Sequence, residues 1–432
     1  MEILLSLFYF LVFCYVLARV PFFKNIPGLS LQWLLVFFGL KVLAGFAMIA
    51  IYTHIYELEI ADFHKYFSDG MIMYRALWEN PLDYLRMVTG IDSAAGHLHQ
   101  YYDQMGFWFR PWESPVYNDN RLVIRFNALV GLFSLGHLGV HNIFINFMSL
   151  SGLVALYRFV VRHSDPSRIA WLTWGFFLFP SLLFWGSGIL KEGILLFAMG
   201  WWTFLLDGFV QQRKIRFLPL SAFILLSLVL VLLKPYTMLF WVPCLFAFYW
   251  AGHRPLTAIL LRYALVLLGC VGFTLVMGWF FPSYDLPTII ARKQNDFVNL
   301  SLTLEAGSII HARHLEVGFW PFVREFFMGL VYALFRPHPL EVYSPLVLMA
   351  VLENLLIWLL IIWAAIRFTR VKFDSLAIIV LSLVFALLLM GFVGMVTPVH
   401  GGIVRYKIPA LPFLWVAWVH LAQLPQKMKI KL

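Results

Sequence analysis

Charge is scarce in this chain: 12% of its 432 residues are Asp, Glu, Lys or Arg, against 62% hydrophobic. That balance, with a mean hydropathy of +0.83, excludes a soluble globular protein of two or three domains. Cysteine is almost absent. Cys14, Cys244 and Cys270 all lie inside apolar stretches, which excludes a disulfide framework and a cysteine-built metal site. The chain also lacks a solenoid-type repeat and a Gly/Ser-rich or Pro-rich linker long enough to divide it. After the first apolar run, Ile3 to Ala18, the sequence Arg-Val-Pro-Phe-Phe-Lys carries no small-x-small cleavage signature, so the run reads as an uncleaved span. The expectation is one all-α integral membrane domain over residues 1–432.

What is present is a series of apolar stretches. A helix needs about 20 residues to cross the hydrocarbon core, and on that measure about 11 spans are expected. They lie near 2–18, 31–53, 141–160, 169–187, 190–209, 217–234, 236–251, 259–281, 343–366, 374–396 and 406–423. Segments 123–138 and 319–335 are apolar but shorter and flanked by charge, and read as interfacial or re-entrant helices. Orientation follows from the basic residues. One set of connections holds Arg19 and Lys24; Arg158, Arg162 and Arg168; Arg213, Lys214 and Arg216; Arg254 and Arg262; Arg367, Arg370 and Lys372; and Lys427, Lys429 and Lys431. These are 16 of 32 basic residues, against the two acids Asp165 and Asp374. This set is assigned to the cytoplasm, which puts the N-terminus outside and the C-terminus inside. Two large loops, 54–140 and 282–342, then fall on the outer face, carrying the short interfacial helices. The net charge of +10 is mostly the positive-inside pattern and gives no case for nucleic acid. A plasma membrane is expected, as in a bacterial inner membrane.

The first loop departs from the rest. Residues 54–122 carry 10 of the 22 acids and only 5 Lys or Arg, a net charge of −5. Its opening run holds Asp62, Tyr66 and Asp69 at i, i+4, i+7, one helical face if the second span continues outward. A carboxylate at that level is placed to take a proton from an acceptor hydroxyl; a solvated loop face is the alternative for each acid. His64 reads as structural. Aromatics follow (Tyr101, Tyr102, Phe107, Trp108, Phe109, Trp112, Tyr117), suited equally to an interfacial belt and to sugar stacking.

Charges within or at the mouths of spans are each functional hypotheses. Lys41 lies mid-span, with Glu353 its expected intramembrane partner. Lys191 and Glu192 end the run Pro-Ser-Leu-Leu-Phe-Trp-Gly-Ser-Gly-Ile-Leu-Lys-Glu, and a mutual ion pair is the plain alternative for them. Lys234 sits in Leu-Lys-Pro-Tyr. Arg336 precedes Pro337 and His338, and Arg405, Tyr406 and Lys407 open the last span. Apart from Lys41 the topology puts these on the outer side, where a cationic ring suits a phosphate headgroup on an apolar tail. Snorkelling to lipid headgroups is the competing account, above all for Lys407.

With these residues in view the chain resembles the GT-C class of polytopic membrane glycosyltransferases. The likeness rests on Asp62 and Tyr66 in the first large outer loop, on the motif at 180–192, and on Arg-Tyr-Lys-Ile-Pro-Ala-Leu-Pro-Phe at 405–413. The resemblance implies transfer of a sugar from a polyprenyl-phosphate-linked donor to a glycan, lipid or protein acceptor on the non-cytoplasmic face. Asp62 would be the catalytic base and Asp69 the second candidate. Lys191, Lys234 and Arg405 would bind phosphate, with Tyr66, Glu192, Arg336 and Tyr406 completing the substrate site. In that class the acidic loop follows the first span, whereas here it is expected to follow the second, and no large soluble C-terminal domain is expected. No organic cofactor is implied and no compact carboxylate motif demands a metal, which leaves a divalent ion open. Rival readings are an O-antigen-type polymerase or ligase joining lipid-linked glycans, and a lipid-linked glycan flippase or transporter.

Overall fold

In lipid, long apolar segments satisfy their backbone groups within helices, and helix is what this chain forms. The computed structural model describes residues 1–109, 117–212, 215–303, 307–310, 313–369 and 371–424. Trp112, Arg213, Lys214, Arg370, Lys427, Lys429 and Lys431 fall outside these. Among the described residues there is no β-strand, only isolated bridges such as Ile309 with Val399.

The first helices are α1 (Glu2–Arg19), α2 (Leu31–His54), α3 (Asp62–Glu79), α4 (Pro81–Thr89), α5 (His99–Tyr102), α6 (Asn120–Ser134) and α7 (Leu138–Arg162). Then come α8 (Ile169–Leu178), α9 (Pro180–Phe184), α10 (Lys191–Gln212), α11 (Phe217–Leu233), α12 (Pro235–Ala251) and α13 (Leu256–Phe280). The last are α14 (Leu286–Thr303), α15 (Phe319–Phe335), α16 (Pro345–Ile366), α17 (Leu376–Val396), α18 (His400–Tyr406) and α19 (Leu411–Leu421).

Among the described residues, seven helical stretches are long and apolar enough to cross a membrane: α1, α2, α7, α10, α13, α16, and α17 extended back to Phe373. An eighth exists if the pieces on either side of Phe179 count as one. The remaining expected spans are shorter or interrupted for an identifiable reason. Proline lacks an N–H and clashes with the preceding turn. Pro180 and Pro235 each start a new helix, Pro243 lies inside α12, and Pro409 sits in the 3₁₀ turn Ile408–Ala410 that separates α18 from α19. The two short segments expected at an interface are helices, α6 and α15.

The second span does not run on into the acidic segment. The chain leaves α2 at Ile55, makes a 3₁₀ turn over Leu58–Ile60 and starts a new helix at Asp62. Continuation would put Glu57 and Glu59 at the negative end of α2. Restarting instead puts Asp62 in the first turn of α3, where the helix dipole favours a carboxylate.

The chain clusters into two compact units: Met1–Phe159 with Leu182–Pro235, and Val160–Ser181 with the chain from Tyr236. In the first, α3 packs on α6 and α10 on α11. Gly152 of α7 and Gly200 of α10 meet backbone to backbone, so a Cβ on Gly200 would collide with the Gly152 carbonyl. Close approach through small residues is a common way for helices to pack in lipid. The second unit repeats the device where Gly329 of α15 meets Gly394 of α17. Helix α17 is buried along most of its length and packs on both α15 and α19.

Candidate functional site

Within the first unit, α3 presents Tyr66 and Asp69 on its buried face, with half-buried Asp62 at its start. The Tyr66 hydroxyl donates to Asn120 Oδ1 at 3.1 Å. The Lys191 ammonium stands over the Tyr66 ring, 5.8 Å from its centroid, and donates to Asp119 Oδ2 at 2.6 Å. Lys191 opens α10 and Asp119 precedes α6, so two distant segments close on the first turns of α3. The pair is partly open, with side chains 13% and 25% exposed.

Asp69 has a different environment. Its Oδ1 accepts from the Gly106 N–H at 2.9 Å and its Oδ2 from the Phe107 N–H at 2.8 Å. Both oxygens therefore anchor the loop carrying Phe107 and Trp108. Burial raises its pKa, against the lowering pull of those two N–H groups and of Lys65. The loop is fixed further by Asn118, whose Nδ2 donates to the carbonyls of Phe107 and Trp108. Trp108 is buried, stacked on Tyr102 at 4.3 Å, with the Arg121 guanidinium 4.7 Å from its ring centroid. This is packing of a loop core, and it takes Trp108 and Tyr102 out of any exposed sugar-stacking platform.

Lys191 and Glu192 do not pair with each other. One helix turn places consecutive side chains on different faces, and Glu192 turns inward to Lys234, with Nζ 3.8 Å from Oε1 and both side chains nearly sealed. Lys41 does not meet Glu353 either. Its ammonium donates to the Gly186 carbonyl at 2.9 Å and to Ser187 Oγ at 3.1 Å. Asn146 Nδ2 donates to the Ser187 carbonyl at 2.9 Å and Ser149 Oγ to the Gly186 carbonyl at 2.8 Å. These side chains supply partners to the carbonyls freed at Trp185–Ser187, directly before Lys191.

The second unit holds the remaining expected residues. Arg336 forms a 2.7 Å ion pair with Glu341, which also accepts from the His338 N–H at 2.9 Å. His400 is buried with Nε2 3.9 Å from Glu341 Oε1. Burial lowers its pKa, opposed by Glu341 and assisted by Arg336 and His338. Arg405 and Tyr406 close α18, both half-buried. Lys407 is fully buried. It donates to Asn354 Oδ1 at 2.7 Å and to the Ala333 carbonyl at 3.2 Å, and stands 4.0 Å from Glu353 Oε1. Glu353 Oε2 accepts from the Ser181 N–H at 2.6 Å. The snorkelling expected of Lys407 does not occur.

The expected cations are thus shared out, Lys191 and Lys234 to the first unit and Arg336 and Arg405 to the second. Sequence reasoning missed Asp119, Asn120, Asn142 (its Nδ2 donates to the Val42 carbonyl at 3.1 Å), Asn146 and Ser149. The last three were readable as a polar stripe at i, i+4, i+7 on an apolar span. Asp119 and Asn120 stood in the run Asn-Asp-Asn, which had no periodic signal. No group of His, Cys, Asp or Glu among the described residues is arranged to hold a metal ion. Comparison with protein-family profiles, curated proteins and solved structures gives no match to this chain.

Proposed function

We propose that this protein is a membrane glycosyltransferase of GT-C type, moving a sugar from a polyprenyl-phosphate-linked donor to a glycan, lipid or protein acceptor. The observation that supports it most is the arrangement at the start of α3. Asp62 lies one helical turn from Tyr66, and the Lys191 ammonium rests over the Tyr66 ring. A half-buried carboxylate, about 6 Å along the helix from a cation-bearing aromatic, joins a proton acceptor to a phosphate-binding charge. In the proposed reaction Asp62 takes the proton from the acceptor hydroxyl as that oxygen attacks the anomeric carbon. The bond to the carrier phosphate breaks, and the departing anion is held by Lys191. Glu192 and Lys234 neutralise one another behind it. An eleven-span topology, with both large loops outside and the C-terminus in the cytoplasm of a plasma membrane, completes the proposal.

The test is transfer from a synthetic polyprenyl-phosphate sugar by the purified full-length protein. Asp62→Asn is expected to lower turnover by about 10²- to 10⁴-fold with expression and melting unchanged. Undiminished transfer by that variant would sink the assignment. Donors bearing one sugar or an oligosaccharide separate this reading from a polymerase or ligase.

A transporter of lipid-linked glycans is the second reading, favoured by the sealed charges Lys41 and Glu353 within apolar helices. Donor-dependent movement of labelled lipid across a vesicle without any transfer product would support it instead.

A further inference from the structure

The opposite side of α3 carries a second feature. Met71 follows Asp62 by about two and a half helical turns, so it faces away from the Asp62–Tyr66 side. There a cleft of about 540 Å³ lies between α3 and the Leu135–Gly136 turn. Its walls are of two kinds: Phe67, Met71 and Leu135 are apolar, while Ser68, Arg75 and Gln104 are polar. Arg75 is exposed and has no hydrogen-bond or ion-pair partner among the described residues.

Leu135 adds an independent observation. It caps α6 with φ 51 and ψ 30, in the left-handed region, and its side chain is 62% exposed. At that cap position glycine or asparagine is the unstrained choice. A leucine held there, pointing outward at the cleft, carries backbone strain and exposed apolar area together. Such combinations gather at ligand sites. Leu135 and Gly136 also lie directly before α7, one of the helices able to cross a membrane. The cleft therefore opens where that helix would leave the bilayer.

We propose that this cleft binds the headgroup of an anionic phospholipid from the surrounding bilayer. The Arg75 guanidinium would fork onto the phosphate. The first methylenes would lie along Phe67, Met71 and Leu135, and the rest of each chain would remain in the bilayer. The volume suits a headgroup and the start of its chains rather than a whole lipid. The site is separate from Asp62 and does not depend on the glycosyl-transfer reading.

Native mass spectrometry of the full-length protein, titrated with dioleoylphosphatidylglycerol or dioleoylphosphatidylcholine, tests it. Wild type is expected to retain the anionic lipid more strongly. Arg75→Gln is expected to weaken that retention about tenfold, the loss of one charge-assisted contact, with an unchanged melting temperature in lipid-free detergent. Leu135→Gly removes the strain, so it is expected to melt no lower than wild type yet bind the lipid more weakly. If Arg75→Gln fails to fold, Leu135→Gly decides the matter alone. Retention unchanged in the folded variants overturns the proposal. So does equal binding of inorganic phosphate, or displacement by farnesyl phosphate at concentrations well below those of the phospholipid.

Discussion

Lys191 and Lys407 are both lysines set against a carboxylate, one in each unit, and they behave as opposites. Lys191 makes a short 2.6 Å contact with Asp119 and keeps partial exposure on both sides of the pair. Lys407 stands 4.0 Å from Glu353 with neither side chain accessible, and its hydrogen bonds go to Asn354 and the Ala333 carbonyl. An open pair can trade its partner for a ligand phosphate. A sealed pair whose cation is held by Asn354 and the Ala333 carbonyl, and whose carboxylate is held by the Ser181 N–H, can only position helices. Identical residue types at the starts of two helical stretches therefore divide into a reachable charge and a structural one.

The largest effect that would break this comparison belongs to the sealed pair. Lys407→Met leaves the Glu353 carboxylate buried without its cation, and is expected to cost about 3–5 kcal/mol in detergent unfolding. Adding Glu353→Gln should recover most of that loss. A single variant as stable as wild type would show that Lys407 is not structural. Lys191→Met should change stability by only about 1 kcal/mol or less, as for other partly exposed pairs. Its binding of a polyprenyl phosphate should nonetheless fall about tenfold. A large stability loss without weaker binding would place Lys191 beside Lys407 as scaffold.

A smaller, pH-linked effect sharpens the same contrast inside the acidic loop. Asp69 and Asp83 are both buried, yet their pKa values move in opposite directions. Burial dominates at Asp69 and raises it. At Asp83 burial is overcome by His97, 2.8 Å away, and by Arg86 at 3.2 Å, and the value falls below the usual 3.8. The raised Asp69 gives stability that is present below the ordinary carboxylate pKa and lost as pH rises through its folded value. The lowered Asp83 gives stability present above the ordinary value and lost as pH falls through its folded one. Hydrogen exchange over 81–105 is expected to quicken below about pH 4, and Asp83→Asn should remove that acid limb. For Asp69→Asn the expected change is in the Gly106–Phe107 amides, at neutral pH as well as in acid.

Helix and membrane character were readable because they rest on composition and on long apolar runs, which need no partner to be recognised. The short helices α6 and α15 were readable for the same reason. Partners were not. Glu353 was matched to Lys41 because both were charges in apolar helices, but pairing depends on which helices pack together, and small contacts such as Gly152 with Gly200 decide that. Helix breaks were harder to read than apolar runs, since hydropathy ignores a proline's missing N–H: the 169–187 stretch bends by 57° at Pro180. Within the candidate site, the face shared by Asp62, Tyr66 and Asp69 was visible from spacing alone. The anchoring of Asp69 by Gly106 and Phe107 was not, because backbone donors leave no mark in the side-chain sequence.

The Lys41 contact has a consequence for how the protein is made. Its acceptors, Gly186 and Ser187, lie 145 and 146 residues further along the chain. If α2 crosses the bilayer, as its length and composition allow, it enters during synthesis bearing an ammonium that has no native acceptor until the fourth apolar segment emerges. A central lysine adds about 2.5–3.5 kcal/mol to insertion, which the otherwise uncharged α2 has to outweigh alone. Such a span would then wait for residues 185–187, whose arrival gives its ammonium the acceptors seen in the folded chain.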